Sequence, residues 1–174
     1  MARPSNKDRV LDAYEALLVD GAGTTVTLDA VAEAAAVSKG GLLYHFPSKE
    51  ALVDGLAGRL RERAAADVAR LREAPEGPVA YWVRTANSEA GTGIGRTYQA
   101  LLGLAGTGQP AARAVIAEVE RGWTAALEEL IPDPVVARVV RLVGDGLYLE
   151  SLTGLPGAPD AAALVALLES LTRR

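Results

Sequence analysis

Residues 27–50, TLDAVAEAAAVSKGGLLYHFPSKE, decide the fold. Leu28, Val31, Ala32 and Ala35 recur at i, i+3, i+4 and i+7, the spacing of a helix with one buried face. Thr27 stands at its N-cap, and Asp29 in the first turn puts a negative charge where the helix dipole favours one. A tight turn follows, and Ser38 caps a second helix of about two turns. Leu42 and Phe46, four apart, face inward and leave Lys39, Gly40, Leu43 and Tyr44 facing out. Pro47 stops this helix, and Ser48, Lys49 and Glu50 open the next. Two short helices joined by a tight turn, the second opening with a small polar cap and a lysine, predict a helix-turn-helix DNA reader.

On the N-terminal side, Ser5 and Asp8 make a capping-box-like start to a helix over Asn6–Val19, with Val10, Leu11, Tyr14, Leu17 and Leu18 on its apolar face. Gly21 and Gly23 end it. On the C-terminal side the pattern predicts a long helix from Lys49 to Arg72, roughly 35 Å at 1.5 Å per residue, long enough to connect the reading head to a second domain. Gly55 and Gly58 lie inside it at a cost of about 1 kcal/mol each, a cost that close packing against the first helix would explain. After a linker at Pro75–Pro78, helices are expected over Val79–Ala90, Gly95–Ala105, Ala111–Leu130, Pro134–Thr153 and Ala161–Thr172. No strand-like alternation and no repeat interrupts the series, so the fold class is all-α with about nine helices.

Composition limits the function. A chain of 174 residues holds one large domain or two small ones sharing a core, and its 49% hydrophobic content favours helix over disorder. Cysteine is absent and histidine occurs once, which removes disulfides, thiolate chemistry and the usual metal sites; no cofactor is expected. No Ser/His/Asp spacing and no phosphate-cradling glycine loop is present, so an enzyme is not expected. No signal peptide precedes the first helix and no apolar run approaches the ~20 residues that span a bilayer, so a cytoplasmic protein without a membrane partner is expected. The net charge of −4 opposes nucleic acid, but its distribution does not. Between Ala34 and Lys49 there are two lysines and no acids, and Arg3 and Lys7 add a basic arm. Affinity would then rest on few ion pairs and on backbone N–H groups at helix starts, with a shallow salt dependence.

The residues Val31-Ala32, Ala35, Val37-Ser38, Gly40, Leu42, His45-Phe46 and Ser48-Lys49-Glu50-Ala51-Leu52 resemble the tetracycline-repressor (TetR/AcrR) family of bacterial transcription regulators. The resemblance implies an N-terminal helix-turn-helix DNA-binding domain over residues 1–47. A helical ligand-binding and dimerisation domain would occupy 48–174, with 48–72 as the connecting helix. Two positions depart from the family pattern. Ala36 stands where glycine is usual, which forces an alanine towards a left-handed conformation. Leu43 stands where a tyrosine is common, which removes one phosphate contact.

The DNA-facing set is then Thr27, Ser38, Lys39, Gly40, Gly41, Leu43, Tyr44, His45 and Lys49. Lys39 is placed to reach guanine O6 and N7, and Leu43 to touch a thymine methyl. Gly40 and Gly41 would allow close backbone approach to DNA. His45 and Lys49 suit phosphate, although a packed or capping histidine is the plainer reading of His45.

In the second domain Trp82, Trp123, Tyr98 and Tyr148, with Asn87, Glu89, Arg96 and Gln99, have the character of an apolar pocket with few polar groups. By resemblance it would lie among the fourth to seventh helices and take an unknown small-molecule effector. Core packing is the alternative for any one of these aromatics. Asp145, on an apolar helix, needs a partner if buried, and Arg141 one turn earlier is the nearest. The eighth helix is apolar almost all round and the ninth carries a leucine stripe, more than a small domain buries alone. Val139, Val143, Leu147, Leu164, Leu167, Leu168 and Leu171 are therefore expected in a homodimer interface, two helices from each subunit forming a four-helix bundle.

These expectations converge on a ligand-responsive repressor that binds a palindromic double-stranded operator as a dimer and is released by an inducer. A ligand-independent architectural DNA-binding protein is the competing reading.

Overall fold

The computed structural model describes residues 5–21, 26–88, 93–153 and 160–173. Among them are nine helices and no strand: α1 (Asn6–Asp20), α2 (Leu28–Ala34), α3 (Lys39–His45), α4 (Lys49–Glu73), α5 (Pro78–Ser88), α6 (Gly93–Gly106), α7 (Pro110–Leu130), α8 (Pro134–Thr153) and α9 (Ala161–Thr172). The all-α expectation holds, with element ends within about two residues of the sequence pattern. Helices α5, α7 and α8 each open on a proline. Proline costs nothing at the first helical position, because that N–H has no intrahelical partner, and its φ is already helical. Among the described residues no helix is long and apolar enough to cross a membrane.

The caps explain why so short a segment as α2 or α3 forms a helix. Thr27 Oγ1 accepts from Ala30 N at 3.2 Å, Ser38 Oγ from Gly41 N at 3.0 Å and Ser48 Oγ from Ala51 N at 3.2 Å. Each satisfies an N–H that a helix start otherwise leaves to water, typically worth about 1 kcal/mol. In α1, Ser5 Oγ does the same for Asp8 N at 3.1 Å. Its hydroxyl also donates to the Asp8 carboxylate, the largest influence holding that carboxyl below its usual pKa.

The chain divides into two compact units, one of Met1–Arg61 with Arg96–Ile116 and the other of Glu62–Gly95 with Ala117–Arg174. In the first, α1, α2 and α3 pack on one another. Val10, Leu11, Tyr14, Val31, Leu42, Phe46, Leu52 and Leu56 are buried there. Burial pushes the Tyr14 phenol up to about 12. Gly55 of α4 faces Leu11 of α1 and Phe46, just past the end of α3. A Cβ there would sit 2.8 Å from Phe46 Cε1 and 2.9 Å from Leu11 Cδ2, so only glycine admits this packing. Gly58, for which the sequence suggested the same role, meets nothing within 4 Å. In the second unit α5 packs on α8 and α9.

The turn between α2 and α3 carries the strain expected at Ala36. Its φ is 51°, the only positive value at a non-glycine residue among those described. Ala36 N donates to Glu33 O and Val37 N to Ala32 O, both at 3.0 Å, the paired bonds of a Schellman helix end. That motif normally uses glycine, because a Cβ in the left-handed region costs roughly 1–2 kcal/mol. Two features hold the alanine in place. Ala35 is buried, and Arg9 of α1 donates through Nη2 to Ala35 O at 2.6 Å and to Ala36 O at 3.1 Å. Ala36→Gly is therefore expected to raise stability by about 1 kcal/mol, or about 2–4 °C in Tm. Thermal unfolding of the two proteins checks this, and an unchanged or lower Tm would show that glycine's unfolded-state entropy outweighs the relieved strain.

Candidate nucleic-acid interface

The second helix of the motif, α3, has one buried residue, Leu42, and its other side chains face outward or lie half-buried. Tyr44 is 85% exposed and Leu43 37%, both large and apolar enough to be buried if anything in the fold covered them. Phe46, just past the helix end, returns to the core. Leu43 thus takes the outward place that its offset from the Leu42/Phe46 stripe predicts. Thr27, Ser38, Lys39 and Gly40 are also exposed, while Gly41, His45 and Lys49 are half-buried. A Cβ on Gly40 would meet nothing within 4 Å, so its surroundings are open. Tyr44 and His45 meet edge to face, ring centroids 5.0 Å apart.

Two features of this surface were not visible in the local pattern. Arg9, from a different helix, clips the turn carbonyls and so sets the angle at which α3 leaves α2. Lys39 is not a lone cation: its Nζ lies 2.9 Å from Asp29 Oδ1. The only sequence signal for either is charge, and charge does not report partners across helices. Arg3, part of the expected basic arm, lies outside the described residues.

The residues expected to bind an effector fall in both units. In the first, Arg96 pairs with Asp20 at 3.4 Å and approaches the buried Glu15 at 4.0 Å. Tyr98 and Gln99 are half-buried there. In the second, Trp82 and Trp123 meet edge to face at 5.9 Å between centroids, both buried. Arg141 lies against both, its guanidinium carbon 4.9 Å from the Trp82 ring centroid and 5.6 Å from that of Trp123. Arg141 is almost wholly buried and pairs with Glu120 and with Asp145, the partner its position one turn before Asp145 suggested. Burial pushes the Asp145 carboxyl up while the Arg141 charge pulls it back down.

Trp123 Nε1 donates at 3.0 Å to Asp67, which also accepts from the Tyr81 hydroxyl at 2.6 Å. Burial first, then the Asp67 carboxylate, pushes that phenol up to about 12. Trp82 packs against the backbone of α8 so tightly that a Cβ on Gly144 would overlap its indole nitrogen. That nitrogen is buried without a hydrogen-bond partner. Tyr148 reaches Gly95 O at 2.8 Å. Glu89 and the side chain of Asn87 lie outside the described residues. A depression of about 350 Å³ in the same unit is bounded by Gly77–Val79, Leu130–Pro132, Glu169, Thr172 and Arg173, and none of the eight expected residues lines it.

The apolar residues of α8 separate into two faces. Ala137, Val140, Gly144 and Leu147 point into the unit, whereas Val135, Val139, Leu142, Gly146 and Leu149 form an exposed stripe on the far side. On α9, Leu168 is buried, Leu164 and Leu171 are half-buried, and Leu167 is 60% exposed. Of the residues expected at a subunit interface, Leu147 and Leu168 are thus already covered within the subunit. Val139 and Leu167 remain open, and Val143 is half-buried.

Comparison with known proteins gives two family matches. The description "Bacterial regulatory proteins, tetR family" fits residues 10–56, and "Tetracyclin repressor-like, C-terminal domain" fits residues 77–173. No curated protein matches. Among solved structures, a TetR-family member from Streptomyces coelicolor A3 is 27% identical, covering 97% of this chain and 98% of that one at a TM-score of 0.71. The multidrug binding protein EbrR in complex with malachite green is 25% identical, covering 97% and 98% at a TM-score of 0.71. EbrR in complex with imidazole is 26% identical, covering 97% and 96% at a TM-score of 0.66.

Proposed function

Because the chain belongs to the TetR family of bacterial transcription regulators, we propose that it is a ligand-responsive repressor, acting as a homodimer on a roughly palindromic operator. The observation that carries the DNA half is the reading helix. Leu43 and Tyr44 stand exposed beside Lys39, on a helix oriented by the Arg9 clip and anchored by Leu42 and Phe46. Residues 1–47 are the reading head and 48–174 the effector and dimerisation part, with α4 as the connecting helix. Thr27, Ser38, Gly40, Gly41, Tyr44, His45 and Lys49 position the head on phosphates. Lys39 and Leu43 read bases.

On an operator selected from randomised duplexes, Lys49→Ala lowers affinity uniformly and reduces the slope of log K against log salt by about one. Lys39→Ala weakens the selected site by about 1–3 kcal/mol and unrelated DNA by less. Equal loss on every duplex for Lys39→Ala would reduce that lysine to a phosphate contact.

The effector half takes support from EbrR, whose complexes hold malachite green, ethidium and imidazole. Of the expected site, Trp82, Asn87, Glu89, Trp123 and Tyr148 belong to the second unit, and Arg96, Tyr98 and Gln99 to the first. An inducer that binds them tilts α4 and changes the spacing of the two heads, which requires only different affinities for the two spacings. Malachite green and ethidium are the first probes. Quenching of Trp82 and Trp123 fluorescence should accompany a loss of operator affinity of about 5–150-fold. The dense contact of Trp82 with Gly144, Trp123 and Arg141 favours the competing reading, a ligand-independent architectural protein. A metabolite and dye screen with no release of operator would establish that alternative.

A further inference from the structure

The Lys39–Asp29 ion pair is open to water, its side chains 60% and 70% exposed, with Nζ 2.9 Å from one carboxylate oxygen and 3.1 Å from the other. Pairs this exposed contribute next to nothing to stability, so the fold has no need of it. What the pair does is place a donor and an acceptor side by side on the reading surface. Lys39 is the first residue of α3 and Asp29 the second of α2, and the Arg9 clip fixes the turn between those helices. In the major groove a G·C pair shows the complementary arrangement. Guanine O6 is an acceptor and cytosine N4 a donor, roughly 2.9 Å apart because they hydrogen-bond to each other. The two heads of the ion pair have the same separation and the opposite polarity.

We propose that Asp29 and Lys39 read one base pair of each half-site together. Lys39 donates to guanine O6 and N7 while Asp29 accepts from N4 of the paired cytosine. This rests on the reading of Lys39 as a base contact and adds Asp29 as a specificity-determining residue. The ordered pair of heads makes the recognition directional. Reversal to C·G sets the amino donor against the ammonium and the keto oxygen against the carboxylate, so both contacts turn repulsive. T·A keeps the order of acceptor then donor, through O4 and N6, but lacks the N7 that helps hold the lysine. The expected ranking is G·C, then T·A, with A·T and C·G last. A lysine acting alone has no carboxylate to penalise reversal.

The experiment uses the full chain. Its site is selected from randomised duplexes, and binding is then measured to four duplexes that differ only at the pair in question. Wild-type protein should prefer G·C over C·G by about ten-fold or more. Asp29→Asn, whose amide both donates and accepts, should narrow that ratio several-fold while its melting temperature stays near wild type, and Lys39→Met should narrow it as well, each variant leaving the other residue's share of the preference. If Lys39→Met leaves the preference intact, the lysine reads no base and the proposal falls with that reading. If Lys39→Met erases it but Asp29→Asn does not change the ratio, Lys39 reads alone and only the role of Asp29 is overturned. Equal strengthening of all four duplexes by Asp29→Asn also overturns that role, because the carboxylate then merely repels phosphate.

Discussion

Arginine in place of Leu167 yields a soluble protein that elutes as a monomer and binds its operator weakly. Leu167 is the most exposed large apolar residue of α9, and on α8 the stripe Val135, Val139, Leu142, Leu149 is exposed as well. Gly146, exposed within that stripe, lets a facing helix approach closely. If these faces meet their copies in a second subunit, Leu167→Arg buries an unpaired charge, which costs several kcal/mol. About 4 kcal/mol is a thousand-fold in the dimer Kd. Operator affinity then falls by a further factor of about 10²–10⁴, because two half-sites are no longer engaged by one linked molecule. Since Leu167 makes little contact inside its own subunit, the fold should survive. Val143→Arg should also break the dimer, with some loss of stability because Val143 is half-buried. Gel filtration at micromolar concentration decides the matter, and a soluble Leu167→Arg dimer places the interface elsewhere.

Asp67→Ala is expected to cost about 3–5 kcal/mol. The Asp67 side chain is 5% exposed and accepts from both Tyr81 Oη and Trp123 Nε1, with Arg70 adjacent at 3.4 Å. Removing it strands two buried donors at about 1–3 kcal/mol each and opens a void between α4, α5 and α7. For a chain of this size the midpoint of thermal unfolding should drop by about 6–20 °C. Asp67→Asn keeps an acceptor and should lose less than half as much. Tryptophan emission should redden in Asp67→Ala as Trp123 loses its anchor. A loss below about 1 kcal/mol would mean that water replaces the carboxylate, and that this part of the unit is wetter than the burial of Trp123 and Tyr81 indicates.

How much of this was legible in the sequence depends on the range of each interaction. The helix-turn-helix was legible because its determinants are local. Apolar spacing, the caps Thr27, Ser38 and Ser48, and the stop at Pro47 all act within one or two turns. The outward face of Leu43 follows from helical periodicity, and the left-handed Ala36 from the family resemblance, which puts an alanine at a turn position usually held by glycine. The starts of α8 and α9 are local as well, each opened by an aspartate, Asp133 or Asp160, that bonds its own first turn. Even Arg141 with Asp145 is an i, i+4 pair on one helix.

What only the tertiary structure decided is which distant groups meet. The Arg9 clip spans 26 residues, Asp67 to Trp123 spans 56, and the enclosure of Arg141 by two tryptophans draws on three helices. The same holds for the two apolar faces of α8. Periodicity states that a helix is apolar all round, but not which side its own chain covers, so Leu147 and Val139 read alike until α5 is packed against one of them. Nor does a lone lysine in the sequence disclose that an aspartate ten residues earlier holds its charge. Cap and period are properties of one helix, whereas partner choice is a property of how helices cross, and the crossing is set by the whole core.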